Sequence, residues 1–224
     1  KQAFYITMSI IKMRRLPIYI LLDTSGSMHG EPIEAVNNGM QMLVSTLRND
    51  PYALESAHLS VITFNSTAQE VMPLTELAVF QAPTLTASGC TAMGEALTLL
   101  SQKIETDLVK TTSSQKGDWK PLVFIMTDGM PTDDLQKGLA QFKNCKTAIT
   151  VACAAGQGAS TSTLQQITEN VVTLDTADSA TIKAFFKWVS ASISTSSKSV
   201  ETATKETGAL SELPPPPPEV NLVV

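Results

Sequence analysis

Three stretches of the chain are apolar at nearly every position: Leu16–Leu22, Leu122–Thr127 and Ala148–Ala154. A half-buried strand alternates polar and apolar residues. An unbroken apolar run of this length marks a strand covered on both faces, as in a parallel sheet packed between helices. Between these runs the period changes. Ile33, Val36, Met40, Leu43, Val44 and Leu47 recur at helical spacing from about Glu31, and Asp50-Pro51 ends the pattern. Met93, Ala96, Leu97, Leu100, Ile104 and Leu108 do the same from about Thr91, as do Ile182, Phe185, Phe186, Val189 and Ile193 from about Ser179. Leu135, Leu139 and Phe142 line another helix, for which Thr132 reads as the N-cap, with Asp133 and Asp134 favouring the positive end of its dipole. His58–Phe64 reads as a strand, Asn65-Ser66 as a hairpin turn and Gln69–Leu74 as a returning strand, in which Pro73 suits an edge. Ser160–Ile167 reads as a short helix and Val171–Leu174 as a last strand.

This alternation predicts an α/β fold: a doubly wound, mostly parallel sheet with helices on both faces and one antiparallel edge strand. Such sheets bind ligands outside the carboxyl ends of their strands, where the strand order reverses. Residues 1–12 read as an N-terminal extension and 13–197 as the domain. Residues 198–224 read as a flexible tail that includes the five prolines Pro214–Pro218, and removing it is expected to leave folding unchanged. Trp119, just ahead of a strand, is expected to anchor its loop in a partly buried position.

The net charge of −5 and pI near 5.1 argue against a nucleic-acid partner and against a membrane surface. No stretch approaches the roughly 20 apolar residues of a membrane span. The three cysteines, Cys90, Cys145 and Cys153, show no CxxC spacing and read as reduced residues of a cytoplasmic protein.

The chemistry lies where two apolar strands end. Asp23-Thr24-Ser25-Gly26-Ser27 follows the first, and Thr127-Asp128-Gly129 closes another. Between them in the chain, Ser88-Gly89-Cys90-Thr91 opens a helix. Carboxylate and hydroxyl oxygens on tight loops suit a hard divalent cation. An EF-hand is a poor fit because Met28 stands where the sharp turn needs glycine. A phosphoaspartyl enzyme would place an acid where Ser25 stands, and no P-loop follows a strand. A turn of Asp and Ser that merely caps the next helix is the bland alternative.

Asp23-x-Ser25-x-Ser27, then Thr91, then Asp128-Gly129 resembles the metal-ion-dependent adhesion site (MIDAS) of von Willebrand factor type A (VWA) domains. The resemblance implies a VWA/Rossmann-like fold, with Asp23, Ser25, Ser27, Thr91 and Asp128 as ligands of Mg2+, Mn2+ or Ca2+ being alternatives. It also implies an open coordination position filled by an Asp or Glu carboxylate of a protein partner. Thr24, Met28, His29, Cys90 and Met130 are expected to form the rim that touches that partner.

Met13–Ser197 further resembles the bacterial TerY-like VWA proteins of tellurite-resistance and stress-response operons. The stretches that carry this include Arg14–Tyr19, Gly117–Gly129 and Pro131–Asp134. That resemblance implies a non-enzymatic binding component whose partners are a protein kinase and a PP2C-type phosphatase. The alternatives are a metal-assisted phosphohydrolase, which lacks an evident general base, and an assembly subunit of a chelatase or AAA+ type machine.

Overall fold

A computed structural model describes residues 14–202 and 213–223. The expected N-terminal extension and residues 203–212 of the expected tail lie outside the described residues. The strands are β1 (Leu16–Asp23), β2 (Ala57–Phe64), β3 (Ala68–Glu76), β4 (Leu122–Thr127), β5 (Ile149–Ala155), β6 (Val171–Leu174) and β7 (Asn221–Leu222). The helices are α1 (Glu31–Arg48), α2 (Pro51–Ser56), α3 (Met93–Asp107), α4 (Leu135–Phe142), α5 (Thr161–Leu164) and α6 (Ser179–Thr202).

The strands form one sheet in the order β3-β2-β1-β4-β5-β6-β7. β2, β1, β4, β5 and β6 run parallel. β3 is the expected antiparallel edge strand, and β7 adds an antiparallel pairing at the other edge. Every residue of β1, β4 and β5 is buried, which is why these runs are apolar throughout. Leu16, Ile18, Ile20 and Leu22 of β1 pack in one core with α1 and α6, while Tyr19 and Leu21 pack in a second with α3 and α4. The sheet is therefore covered on both faces, as the sequence predicts.

The strand order reverses between β1 and β4. β1 leads to α1 on one face and β4 to α4 on the other, so their carboxyl ends flank a crevice between diverging chains. Leu22 pairs with Met126. Extending that register by one residue puts Asp23 opposite Thr127.

The expected anchor is present. Trp119 is buried, with the Arg14 guanidinium 3.6 Å above its ring, and its backbone N–H donates to the Arg15 carbonyl at 2.9 Å. Arg15 in turn pairs with Asp118 at 2.5 Å.

The tail departs from expectation. α6 continues through Thr202, past the predicted boundary at Ser197. Beyond the undescribed stretch, the chain returns to the domain: Leu213 and Val220 are buried in the α6 core, and Asn221–Leu222 pairs with β6. The Trp188 indole N–H donates to the Pro214 carbonyl at 2.8 Å. Residues 213–223 are thus a docked strap, because two apolar anchors flank the prolines and find an aromatic donor and an open strand edge.

Candidate metal centre

The first loop begins at buried Asp23, whose two carboxylate oxygens are both used. Oδ1 accepts from the Ser25 backbone N–H at 2.8 Å and Oδ2 from the Thr127 hydroxyl at 2.5 Å. Thr127 was not singled out in the sequence, although its place at the end of β4, in register with Asp23, is a signal that could have found it. It also accepts from the Gly129 N–H at 3.2 Å, which ties the turn after β4 to the same point.

Above Asp23 lies a run of oxygens. The Ser25 and Ser27 hydroxyls are 3.0 Å apart, and Ser27 Oγ donates to Asp128 Oδ1 at 2.7 Å. Ser25 is buried, Asp128 half-buried and Ser27 exposed, so the run reaches solvent at its Ser27 end. Mg2+–oxygen distances of about 2.0–2.1 Å put neighbouring corners of an octahedron about 2.9 Å apart. The two observed separations lie near that value but are also ordinary O–H···O hydrogen-bond lengths, so it is the oxygen-only chemistry of the set that suits a small hard cation. Among the described residues no group of three or more His, Cys, Asp and Glu is placed to hold a metal. Hydroxyls would therefore have to complete any cation site here.

The second loop is lashed to the first. The Gly26 N–H donates to the Gly89 carbonyl at 2.9 Å and the Ser88 N–H to the Thr24 carbonyl at 2.8 Å. Gly89 has a φ of 77°, and a Cβ there would overlap the Ser66 hydroxyl, so only glycine suits the turn. This loop brings buried Thr91 to the third: its hydroxyl lies 3.5 Å from where a Gly129 Cβ would stand. Asp23, Ser25, Ser27, Thr91 and Asp128 therefore gather at the ends of β1 and β4, within the three loops.

Three of the five residues expected at the rim are exposed and two are not. His29, Cys90 and Met130 are exposed beside the loops. Thr24 is buried, its N–H and hydroxyl both donating to the Phe64 carbonyl, at 2.9 and 3.3 Å. Met28 is fully buried, because the single 3-10 turn Gly26–Met28 swings it under the loop into the α1 core. Both are buried supports of the loop rather than exposed rim.

Thr132 is also reassigned. α4 starts at Leu135 and is capped by Asp134, whose carboxylate accepts from the Lys137 N–H at 3.3 Å. Thr132 and Asp133 instead reach across to the second loop. Several other acids at this end cap helices: Asp178 accepts from the Ala180 and Thr181 N–H groups at 2.9 Å each, and Glu31 from the Ser179 N–H at 2.9 Å. Parallel strands put helix N-termini at this end, and N-termini favour carboxylates.

Burial raises the Asp23 carboxyl above its ordinary range, against hydrogen bonds from Ser25 and Thr127, and the Asp128 charge adds to the rise. Burial raises Asp128 as well, opposed by the Ser27 hydroxyl. Two carboxylates held together against their desolvation cost are what a cation would relieve.

Fold and site together define an α/β domain carrying oxygen donors at its switch point. The sequence matches the von Willebrand factor type A domain family over residues 18–188, and the chain belongs to that family. Among solved structures it resembles a von Willebrand factor type A protein from Catenulispora acidiphila, at 18% identity and a TM-score of 0.60, over 81% of this chain and 43% of that one. It also resembles proximal thread matrix protein 1 of the mussel byssus with a zinc-occupied MIDAS motif, at 20% identity and a TM-score of 0.55, over 79% and 46%. The SpaC pilus adhesin of Lactobacillus rhamnosus GG, in its open conformation, is similar at 15% identity and a TM-score of 0.62, over 82% and 30%. The chain spans less than half the length of each of these three. A search of curated proteins gives no match. Among the described residues no helix is long and apolar enough to cross a membrane.

Proposed function

We propose that this chain is a non-enzymatic protein-interaction module that binds its partner through a divalent cation, with Mg2+ as the resident ion. The observation that carries the reading is the run of oxygens Ser25–Ser27–Asp128, which leads from buried Asp23 and Ser25 to exposed Ser27. Ser25, Ser27, Thr91 and Asp128 would hold the ion, and the Asp23 charge would stand behind it. The zinc-occupied MIDAS of the mussel relative supports a divalent ion at this kind of site.

The bound ion would supply a Lewis acid with affinity for an anion. The chain's own contribution is orientation. The loops present neutral hydroxyls as well as carboxylates, so the ion's charge is only partly offset and an incoming Asp or Glu carboxylate is attracted. Exposed Met130, His29 and Cys90 border that approach. The side chains hydrogen-bonded to the Asp23 and Asp128 carboxylates are the Thr127 and Ser27 hydroxyls, neither of them a general base, which supports binding over hydrolysis.

The TerY-like resemblance of Met13–Ser197 supports a kinase or a PP2C-type phosphatase as the partner to test first. The three free cysteines support a reducing, cytoplasmic setting. Affinity capture from host extract is the test, with Mg2+, with EDTA, and with Asp128→Ala as bait. A carboxylate-bearing protein is expected only with wild type in Mg2+. Capture that survives both EDTA and Asp128→Ala places the interface elsewhere, and capture of an ATPase favours the assembly-subunit alternative.

A further inference from the structure

We propose that Thr132 and Asp133 are positioning residues for the metal site, setting the second loop from the third by clamping Thr91 and the start of α3. The inference rests on the metal reading above.

Thr91 and Thr132 share two hydrogen bonds. The Thr91 backbone N–H donates to Thr132 Oγ1 at 3.0 Å, and the Thr132 N–H donates to the Thr91 carbonyl at 2.9 Å. The backbone on both sides of the Thr91 side chain is thereby fixed to the loop that carries Asp128. Asp133 extends the clamp. Its Oδ1 accepts from the Gly94 N–H at 3.0 Å and its Oδ2 from the Glu95 N–H at 2.7 Å.

α3 needs this help, because its own N-cap is Ala92, which has no side-chain acceptor. A carboxylate from another loop fills the vacant cap. The approach is possible because residue 94 is glycine: a Cβ there would overlap the Asp134 carbonyl. Sheet register cannot do the same job. Thr91 sits in a long connection between β3 and α3, whereas Asp23 and Asp128 follow adjacent paired strands. The ligand least constrained by the sheet is the one the clamp holds.

Thr132 is exposed, so its substitution leaves the core intact. Thr132→Val keeps the shape and removes the acceptor for the Thr91 N–H; Thr132→Ser keeps the acceptor. Mg2+ and Mn2+ affinities are to be measured by calorimetry, and Thr91 amide exchange in metal-free protein. Thr132→Val is expected to weaken metal binding about tenfold, the lower end for groups that orient metal ligands. It should also accelerate Thr91 exchange, and Thr132→Ser should restore both. Asp133→Ala should weaken binding and Asp133→Asn less so, since one acceptor remains. In a Thr91→Ala background, Thr132→Val should cause no further loss.

Wild-type affinity in Thr132→Val, or the same loss with Thr91 already removed, overturns the positioning role while leaving the metal site standing. Absence of metal binding by the wild type overturns the metal reading and this role with it. The exchange measurement would then report the clamp as a structural feature alone.

Discussion

Deleting residues 213–224 is expected to lower the melting temperature by roughly 6–12 °C, corresponding to about 3 kcal/mol for a chain of this size. Leu213 and Val220 are buried in the α6 core, and burial of each contributes roughly 1.5–3 kcal/mol. Deletion also uncovers Trp188, now 3% exposed, and strips its indole N–H of the Pro214 carbonyl. The entropy recovered on release opposes this. Five consecutive prolines keep that term small, since they are already extended in the free chain. Two-state thermal melts of full-length and truncated protein in one buffer decide the matter. Leu213→Ala, expected to cost about 2–3 kcal/mol, locates the effect. Superimposable melts would mean that the docked strap adds no stability.

Mg2+ at 100-fold excess over its dissociation constant is expected to add about 2.7 kcal/mol of stability, or roughly 5–10 °C in melting temperature. The metal-free site is the unfavourable state. Asp23 and Asp128 titrate above their ordinary range in the fold, so the folded chain holds these protons more tightly than the unfolded one. Metal-free stability therefore falls as pH rises from the ordinary carboxylate range through the raised values, and the full penalty is present above them. Acidification through the same range should abolish the Mg2+ effect, because Asp128 must be ionised to hold the ion and Asp23 to offset its charge.

Asp23→Asn should invert the behaviour. In EDTA it should melt at or above wild type, since a buried charge is gone. The amide can still accept from the Ser25 N–H, and it can donate to the Thr127 hydroxyl, which has the Gly129 carbonyl 3.3 Å away as an acceptor for its own proton. In Mg2+ the variant should melt below wild type. Melting curves indifferent to EDTA and Mg2+ in both proteins would contradict the account.

Local pattern was enough for the parts of this molecule that local physics decides. β1, β4 and β5 are readable because burial on both faces demands apolar side chains at every position. Their alternation with amphipathic helices then implies the switch point and the place of Asp23 and Asp128. What stayed hidden depends on partners distant in sequence. Thr132 and Asp133 have the composition of an N-cap, and nothing nearby tells which helix they serve. Asp133 in fact caps α3 from about 40 positions further along the chain. Met28 sits among polar residues, and only the 3-10 turn directs it inward. Leu213 and Val220 look too sparse to dock until Trp188 and the free edge of β6 are in place. The short helix α2 was missed despite a local signal: Asp50 caps it through the Tyr52 and Ala53 N–H groups, with Pro51 in its first turn.

The most direct test of the central claim is calorimetric titration of Mg2+ and Mn2+ into EDTA-stripped wild type, Asp128→Ala and Ser27→Ala. Asp128 supplies a charge as well as an oxygen, so its loss should weaken binding at least 100-fold, about 2.7 kcal/mol. Ser27 supplies a neutral oxygen, and its alanine variant should retain weak but measurable binding. Wild type that binds neither ion, or Asp128→Ala that binds as tightly as wild type, would contradict the assignment of a metal site to these loops.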